Sequence, residues 1–268
     1  MSTITLAIPA TTQPLGAIRI DHGQAQPRTE ILAEETAVAL VYNGISHAVM
    51  MASPLDLEDF ALGFSLTEGI IQKPGELLDI ELVAAENGIT VEIQITEQRF
   101  AQLKQVRRNL AGRTGCGLCG QDSLESAIRP VAQVVNPVCL AHQDVLQAME
   151  RLCALQPLNN ATGAAHAAGW WRDGQILVRE DVGRHNALDK VIGAAARTVA
   201  RDGVLVISSR ASYEIVHKAA AAGFGIVAAI SAPTALAVRL AREAGVTLVG
   251  FVRGERMTIY SHDGRIVR

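Results

Sequence analysis

Val204-Leu-Val-Ile207, Tyr213 to Ala222, Gly225-Ile-Val-Ala-Ala-Ile230, Thr234 to Ala244 and Val246-Thr-Leu-Val-Gly-Phe-Val252 follow one another without interruption in the last third of the chain. The first, third and fifth segments are short, continuous and apolar, which suits strands buried on both faces. The second and fourth have helical length and composition. Strands alternating with helices in this way predict parallel pairing under helical cover. The pattern therefore predicts an α/β layered domain from about residue 130 to 268.

Working back toward the N-terminus, the pattern changes. Residues 34–42 read as a strand, Asn43-Gly44 as a two-residue hairpin turn, and 45–51 as the return strand. Ser53-Pro54 predicts a helix start, with the serine as cap. Leu57, Phe60, Ala61 and Phe64 recur at helical spacing, and Gly69 closes that helix. A strand over 88–95 and a helix capped by Thr96 and running to about Leu110 complete a smaller α+β domain over 29–110. Residues 1–28 mix Thr, Pro, Gln and Gly without periodicity and predict a loose strand or tail. A helix from about Gln143 to Leu155 places Leu146, Met149 and Cys153 on one face, which makes Cys153 a core residue.

Between the two domains, over 111–129, lies Gly115-Cys116-Gly117-Leu118-Cys119-Gly120. Three glycines around two thiols predict a mobile loop built for sulfur chemistry or a metal. Arg107, Arg108 and Arg113 lie just upstream. Nearby cations can lower a cysteine pKa from about 8.5 to roughly 3.5–7.5 and so favour the reactive thiolate.

Composition narrows the possibilities. The chain has 268 residues, 49% hydrophobic and 19% charged, enough to bury a sizeable core. A net charge of −3 argues against broad nucleic-acid binding. The N-terminus lacks the basic and apolar pattern of a signal peptide, and no apolar run is long enough to span a bilayer. Four cysteines in a chain this long do not make a disulfide scaffold. The cytoplasm is the expected compartment, with no membrane partner.

Ligands of open parallel sheets bind beyond the carboxyl ends of the strands. Three polar segments fall at such ends: Ser208-Ser209-Arg210, Ser231-Ala-Pro-Thr234 and Arg253-Gly254-Glu255-Arg256. Two of them open helices, whose free N–H groups attract anions. Together they predict a phosphate or nucleotide cradle. No G-x-x-x-x-G-K-[ST] loop is present, which argues against an ATPase. The densest polar run, Arg179-Glu-Asp181-Val-Gly-Arg184-His185-Asn186, sits at a strand-to-helix junction and marks Asp181, Arg184 and His185 as ligand contacts or loop-ordering residues. His166, alone among alanines, reads as a core histidine.

A second reading of the cysteines stays open. Cys116, Cys119, Cys139 and His142 give C-x2-C-x19-C-x2-H, close to a structural zinc spacing. That would make the chain a zinc-knuckle interaction protein. A zinc nucleobase deaminase is excluded by motif, because none of the seven histidines is followed by x-Glu. A tRNA-thiolating enzyme, which also uses paired cysteines, would need ATP and a basic surface.

Several segments taken together resemble the FdhD family of sulfur carrier proteins required for formate dehydrogenase activity. They are Asn43-Gly44 with Met50, Leu55-Asp-Leu-Glu-Asp-Phe-Ala-Leu-Gly-Phe64, Thr67-Glu-Gly-Ile-Ile71, Cys116-Gly-Leu-Cys-Gly120, Thr162-Gly-Ala-Ala-His-Ala-Ala168, Arg179-Glu-Asp-Val-Gly-Arg-His-Asn-Ala-Leu-Asp-Lys190, Ser208-Ser-Arg210 and Phe251-Val-Arg-Gly-Glu-Arg256. The resemblance runs from about residue 30 to the end. It implies a sulfurtransferase that takes sulfur from a cysteine desulfurase as a persulfide on Cys116, assisted by Cys119. The acceptor it implies is the molybdenum or tungsten bis(molybdopterin guanine dinucleotide) cofactor, bound as cargo by Phe251, Val252, Arg253, Gly254, Glu255 and Arg256. Ser208, Ser209 and Arg210, already placed at the strand ends, would add to that cradle. It further implies a cytidine-deaminase-like layering of the C-terminal domain without the zinc motif, no permanent metal, a homodimer, and formate dehydrogenase as client.

Overall fold

The computed structural model describes residues 7–111, 131, 133–198 and 201–268. The first element is more regular than the expected loose strand or tail. Strands β1 (Thr12–Asp21) and β2 (Gln24–Ala33) form a two-stranded antiparallel ribbon. His22 and Gly23, both at positive φ, make its two-residue turn. Alternation of Ile18 and Ile20 with polar neighbours was the missed signal.

Next comes a four-stranded sheet in the order β4-β3-β6-β5, built from β3 (Thr36–Tyr42), β4 (Ile45–Ala52), β5 (Leu77–Ala85) and β6 (Gly88–Ile95). The Asn43-Gly44 turn is formed as expected, with φ of 46° and 78°. Helix α1 (Leu57–Thr67) lies on one face of this sheet, and α2 (Glu97–Ala111) follows β6. Val38, Leu40, Tyr42, Val91 and Ile93 pack with Phe60, Ala61 and Phe64 into one core.

Helix α1 starts at Leu57 after a left-handed Asp56, so Ser53 is not its cap. Ser53 is instead fully buried; its N–H donates to the Asp181 carboxylate and its Oγ accepts from the Val182 N–H. The expected apolar stripe is only half of what α1 buries. Its other side is covered by a second helix, so its surface is closed nearly all round.

The C-terminal part begins with the short β7 (Leu140–Ala141), α3 (His142–Ala154) and α4 (Pro157–Thr162). It continues through β8 (His166–Arg172), β9 (Gln175–Asp181), α5 (Arg184–Ala196), β10 (Val204–Ile207), α6 (Tyr213–Ala221), β11 (Ile226–Ala229), α7 (Ala235–Ala244), β12 (Thr247–Arg253), β13 (Arg256–Ser261) and β14 (Ile266–Val267). Six strands form one sheet in the order β13-β12-β11-β10-β8-β9. The pairs β10–β11 and β11–β12 are parallel, as the alternation predicts. Strands β8, β9 and β13 extend the sheet in antiparallel register. Helices α5, α6 and α7 cover one face through Leu188, Val191, Ile215, Val216, Ala237 and Ala241. Helix α3 covers the other through Val145, Ala148, Met149 and Leu152. Cys153 falls beyond this buried stripe and is exposed, which corrects its placement in the core. Among the described residues, no helix is long and apolar enough to cross a membrane.

Candidate functional site at the strand ends

The register of the six-stranded sheet gathers most of the polar segments on one rim. Strands β10, β11 and β12 run parallel, so their carboxyl ends coincide. Ala211 bridges Pro233, and the Phe251 N–H donates to the Ser231 carbonyl at 3.1 Å. Strand β8 runs the opposite way, so its first residue, His166, falls on the same rim, with Ala168 opposite Ile207. Strand β9 reverses again, and Asp181 at its end pairs with His166. The amino ends of α5, α6 and α7 follow directly from these strand ends, and their N–H groups favour an anion there.

The rim is cationic, with Arg184, Arg210 and Arg253 along it. The hydroxyls expected to bind ligand are largely committed elsewhere. Ser208 Oγ accepts from the Ala167 N–H at 2.8 Å, Ser209 Oγ donates to the Arg210 carbonyl at 3.1 Å, and Thr234 caps α7 through the Ala237 N–H. Arg253 donates to the Ile230 carbonyl at 3.1 Å, while Arg256 is exposed on β13. Phe251 holds a left-handed backbone at φ 54° and is 43% exposed. The β12–β13 register shifts between Gly250 and Arg253, and the bulge accounts for this uncommon backbone. Phe251 stands beside Arg253, Arg256 and Thr258 around a cavity of about 410 Å³. On the opposite side of the same segment, Val252, Arg253, Gly254 and Glu255 meet Leu146, Met149 and Cys153 of α3 around a cavity of about 580 Å³.

His185 and Glu214 form the strongest polar pair on the rim. His185 Nε2 lies 2.7 Å from Glu214 Oε2 and 3.5 Å from Ser212 Oγ. Burial pushes the His185 pKa down; Glu214 opposes this, while Arg184, Lys218 and His166 add to it. His166 is also lowered, first by burial and then by Arg184. It is therefore a rim histidine in a cationic setting, not the core histidine expected. Glu214 and Ser212 were not legible as partners, because only the β10–α6 connection brings them over the start of α5.

Both histidines give the fold a pH dependence of known sign. Near and below the ordinary histidine pKa of about 6.5, the unfolded chain binds more protons than the native one, so stability falls as pH falls through that value. We expect the melting temperature to drop between pH 7.5 and 5.5. The double variant His166→Gln/His185→Gln should show a shallower drop, measured by calorimetry at matched ionic strength.

Asp181, by contrast, is fully buried and orders the loop. Its carboxylate accepts from the backbone N–H groups of Ser53 and Gly183 at 3.0 and 2.7 Å and from Asn186 Nδ2 at 3.0 Å. Lys190 Nζ lies 2.7 Å from it. Much of the Arg179–Lys190 run turns inward in the same way. Arg179 grips Asp59, Asn186 reaches the Met51 carbonyl, and Asp189 binds Lys218 and Thr67. Burial pulls the Lys218 pKa down, but Asp189 and Glu68 more than offset this and hold it charged. The densest polar stretch of the sequence is thus mainly the latch between the two halves of the chain, and only Arg184 and His185 face the rim.

The Cys116–Cys119 pair, Arg113 and most of the 111–129 loop lie outside the described residues, as do the side chains of Arg107 and Arg108. Cys139 and His142, the other two members of the zinc spacing, sit against the C-terminal strand. Cys139 Sγ is 4.0 Å from the Gly264 carbonyl and His142 Nδ1 is 3.4 Å from that of Val267. Among the described residues, no group of three or more His, Cys, Asp or Glu is placed to hold a metal.

A three-layer α/β body with arginines along its strand-end rim, joined by a polar latch to a smaller sheet-and-helix unit, places the chain in the class of two-part α/β proteins. The comparisons with known proteins narrow that class. The chain belongs to the FdhD/NarQ family, whose profile matches residues 33–267. It is 53% identical over 246 residues to a protein of Bordetella petrii named sulfur carrier protein FdhD, covering 90% of this chain and 88% of that one. A protein of the same name from Cupriavidus necator is 52% identical over 265 residues, covering 97% of this chain and 92% of its own length. The crystal structure of a protein from Desulfotalea psychrophila, assigned as a formate dehydrogenase accessory protein, superposes with a TM-score of 0.77. It is 25% identical and covers 96% of this chain and all of its own.

Proposed function

We propose that this protein is a sulfurtransferase that carries persulfide sulfur from a cysteine desulfurase to the molybdenum or tungsten bis(molybdopterin guanine dinucleotide) cofactor, and that formate dehydrogenase activity depends on it. The observation that carries the reading is the Cys116-Gly-Leu-Cys-Gly120 motif in a chain more than half identical to proteins named as sulfur carriers.

In the first step, the Cys116 thiolate attacks the outer sulfur of the donor's persulfide. The donor S–S bond breaks, the donor thiolate leaves, and Cys116 keeps the sulfur as its own persulfide. Arg107, Arg108 and Arg113 favour the attacking thiolate. Cys119 assists transfer. The cofactor is cargo, seated at the strand-end rim by its phosphates. Arg184, Arg210, Arg253 and Arg256 supply charge, and the starts of α6 and α7 supply N–H groups. Phe251 and its neighbours through Arg256 line the seat. The layering of the six-stranded sheet between helices supports a cytidine-deaminase-like body from which the deaminase metal motif is absent. The working form in this reading is a cytoplasmic homodimer, with the desulfurase and formate dehydrogenase as partners and no resident metal.

Intact-protein mass spectrometry tests the chemistry. After incubation with a cysteine desulfurase and cysteine, the chain should gain one sulfur atom, released by a thiol reductant. Cys116→Ala should gain none. Equal sulfur uptake by that variant would remove Cys116 from its role.

A further inference from the structure

The β1–β2 ribbon has two unlike faces. Cross-strand pairs Thr12–Ala33, Pro14–Ile31, Gly16–Thr29, Ile18–Pro27 and Ile20–Ala25 fall on one face. Arg19–Gln26, Ala17–Arg28 and Leu15–Glu30 fall on the other. Thr12 at the end and Thr29 near the middle are the polar side chains of an otherwise apolar first face, on which Ile18 and Ile20 are 73% and 72% exposed. Nine of the ten β1 residues are exposed. A two-stranded ribbon is at best marginally stable alone in water; β2 rests against α4 of its own chain, but the Ile18/Ile20 face stays bare and favours a surface to lie on.

The same chain carries such a surface. The four-stranded sheet buries Val38, Leu40 and Tyr42 against α1, so Ala37 and Ala39 point to its outer side. There they meet Val49 and Met51 of β4, with Val83 and Ala85 of β5 further across the face. Val49, Met51 and Val83 are 62%, 50% and 41% exposed. Ala37, Ala39, Val49, Ala85, Gly88 and Thr90 line a shallow hollow of about 350 Å³ on this face, sized for aliphatic side chains.

We propose that the ribbon is an arm that lays its Ile18/Ile20 face on the outer face of the four-stranded sheet of a second copy of this chain. The proposal rests on the homodimer reading above and specifies how that dimer is held. Symmetry favours a second copy over a foreign protein. Arm and receiving face sit on one chain, so a two-fold axis makes the contact twice. At about 3.4 Å per residue, ten residues span roughly 34 Å, and a ribbon roughly 10 Å wide covers about 340 Å². One contact, counted on both partners, buries about 700 Å², below what a stable complex needs; two bury about 1,400 Å², within the usual range.

The test places a photo-crosslinker, p-benzoylphenylalanine, at position 18 of full-length chain and mixes it with an isotope-labelled copy. Irradiation should yield a covalent dimer whose labelled peptide maps to 36–52 or 77–92. The same probe at position 19, on the opposite ribbon face, should give several-fold less. Ile18→Asp/Ile20→Asp should raise the dimer dissociation constant at least about 100-fold by light scattering, as expected for losing two central anchors. Far-UV circular dichroism should stay that of a folded chain. A dimer that survives the double variant, or a crosslink confined to one chain, overturns the arm and leaves the homodimer standing. A wild-type chain that is monomeric throughout overturns both. A crosslink formed only to added desulfurase or formate dehydrogenase overturns the arm in favour of a client site.

Discussion

Replacing Lys190 by Met is expected to cost about 3–5 kcal/mol of folding stability, the loss typical when one partner of a buried ion pair is removed. Lys190 and Asp181 are both fully inaccessible, with Nζ 2.7 Å from Oδ2. Burial pushes the Lys190 pKa down, and Asp181 works against that shift. The ammonium also donates to the Ser53 carbonyl at 3.0 Å and the Glu180 carbonyl at 3.4 Å. Methionine fills much of the space but leaves the Asp181 carboxylate without its cation. Three N–H donors remain, from Ser53, Gly183 and Asn186, and they do not neutralise a charge. Urea unfolding should show a fall in midpoint with little change in slope. Adding Asp181→Asn to Lys190→Met should recover more than half of the loss, because the charge left alone is then gone. Equal stability of the single and double variants would show that the pair is not the source of the penalty. The effect should also reach the rim, because the same turn sets the start of α5 and hence the position of His185.

This latch shows why the sequence was readable to different depths in different places. The β10–α6–β11–α7–β12 alternation was legible because each segment carries its own period, and its helix and strand bounds differ from the expected ones by only a residue or two. The gathering of Ser208–Arg210, Ser231–Thr234 and Arg253 at one edge followed from that alternation alone. Strand β8 was not legible. His166-Ala-Ala-Gly-Trp-Trp-Arg172 has no alternation because both faces are covered, by Trp170 on one side and by Ala167 and Trp171 on the other. Missing β8 hid the route by which His166 reaches the rim. The polar run from Arg179 read as a site because charge density in sequence does not say which way a side chain points. Its partners, Asp59, Ser53 and Met51, lie more than a hundred residues upstream, beyond any local pattern. Cys153 was misplaced for the opposite reason. It shares helical spacing with Met149, but α3 buries the stripe of Val145, Ala148 and Leu152, and Cys153 sits just past its edge.

The join between the two halves should be acutely sensitive at Gly193. Helices α1 and α5 cross with their backbones in contact. A Cβ built on Gly193 would lie 1.9 Å from the Asp59 carbonyl oxygen, and one on Gly63 would lie 1.8 Å from that of Asp189. Neither obstacle is a side chain that could swing aside. A single methyl at Gly193 must therefore push the two helices apart. Overpacking of this kind costs typically 1–3 kcal/mol, and a clash with backbone belongs at the upper end, so Gly193→Ala should lose about 3 kcal/mol. Helix propensity works the other way, since Ala is favoured over Gly by about 1 kcal/mol in a helix interior, so any net loss measures the crossing itself. The separation would also stretch Arg179–Asp59 at 2.8 Å and Lys218–Asp189 at 2.9 Å, the ion pairs that flank the crossing. Gly264→Ala, where nothing lies within 4 Å of the added atom, is the control and should stay within about 0.5 kcal/mol of wild type. If Gly193→Ala unfolds at the same denaturant concentration as that control, the helices are not in backbone contact and the two halves are held by the latch alone.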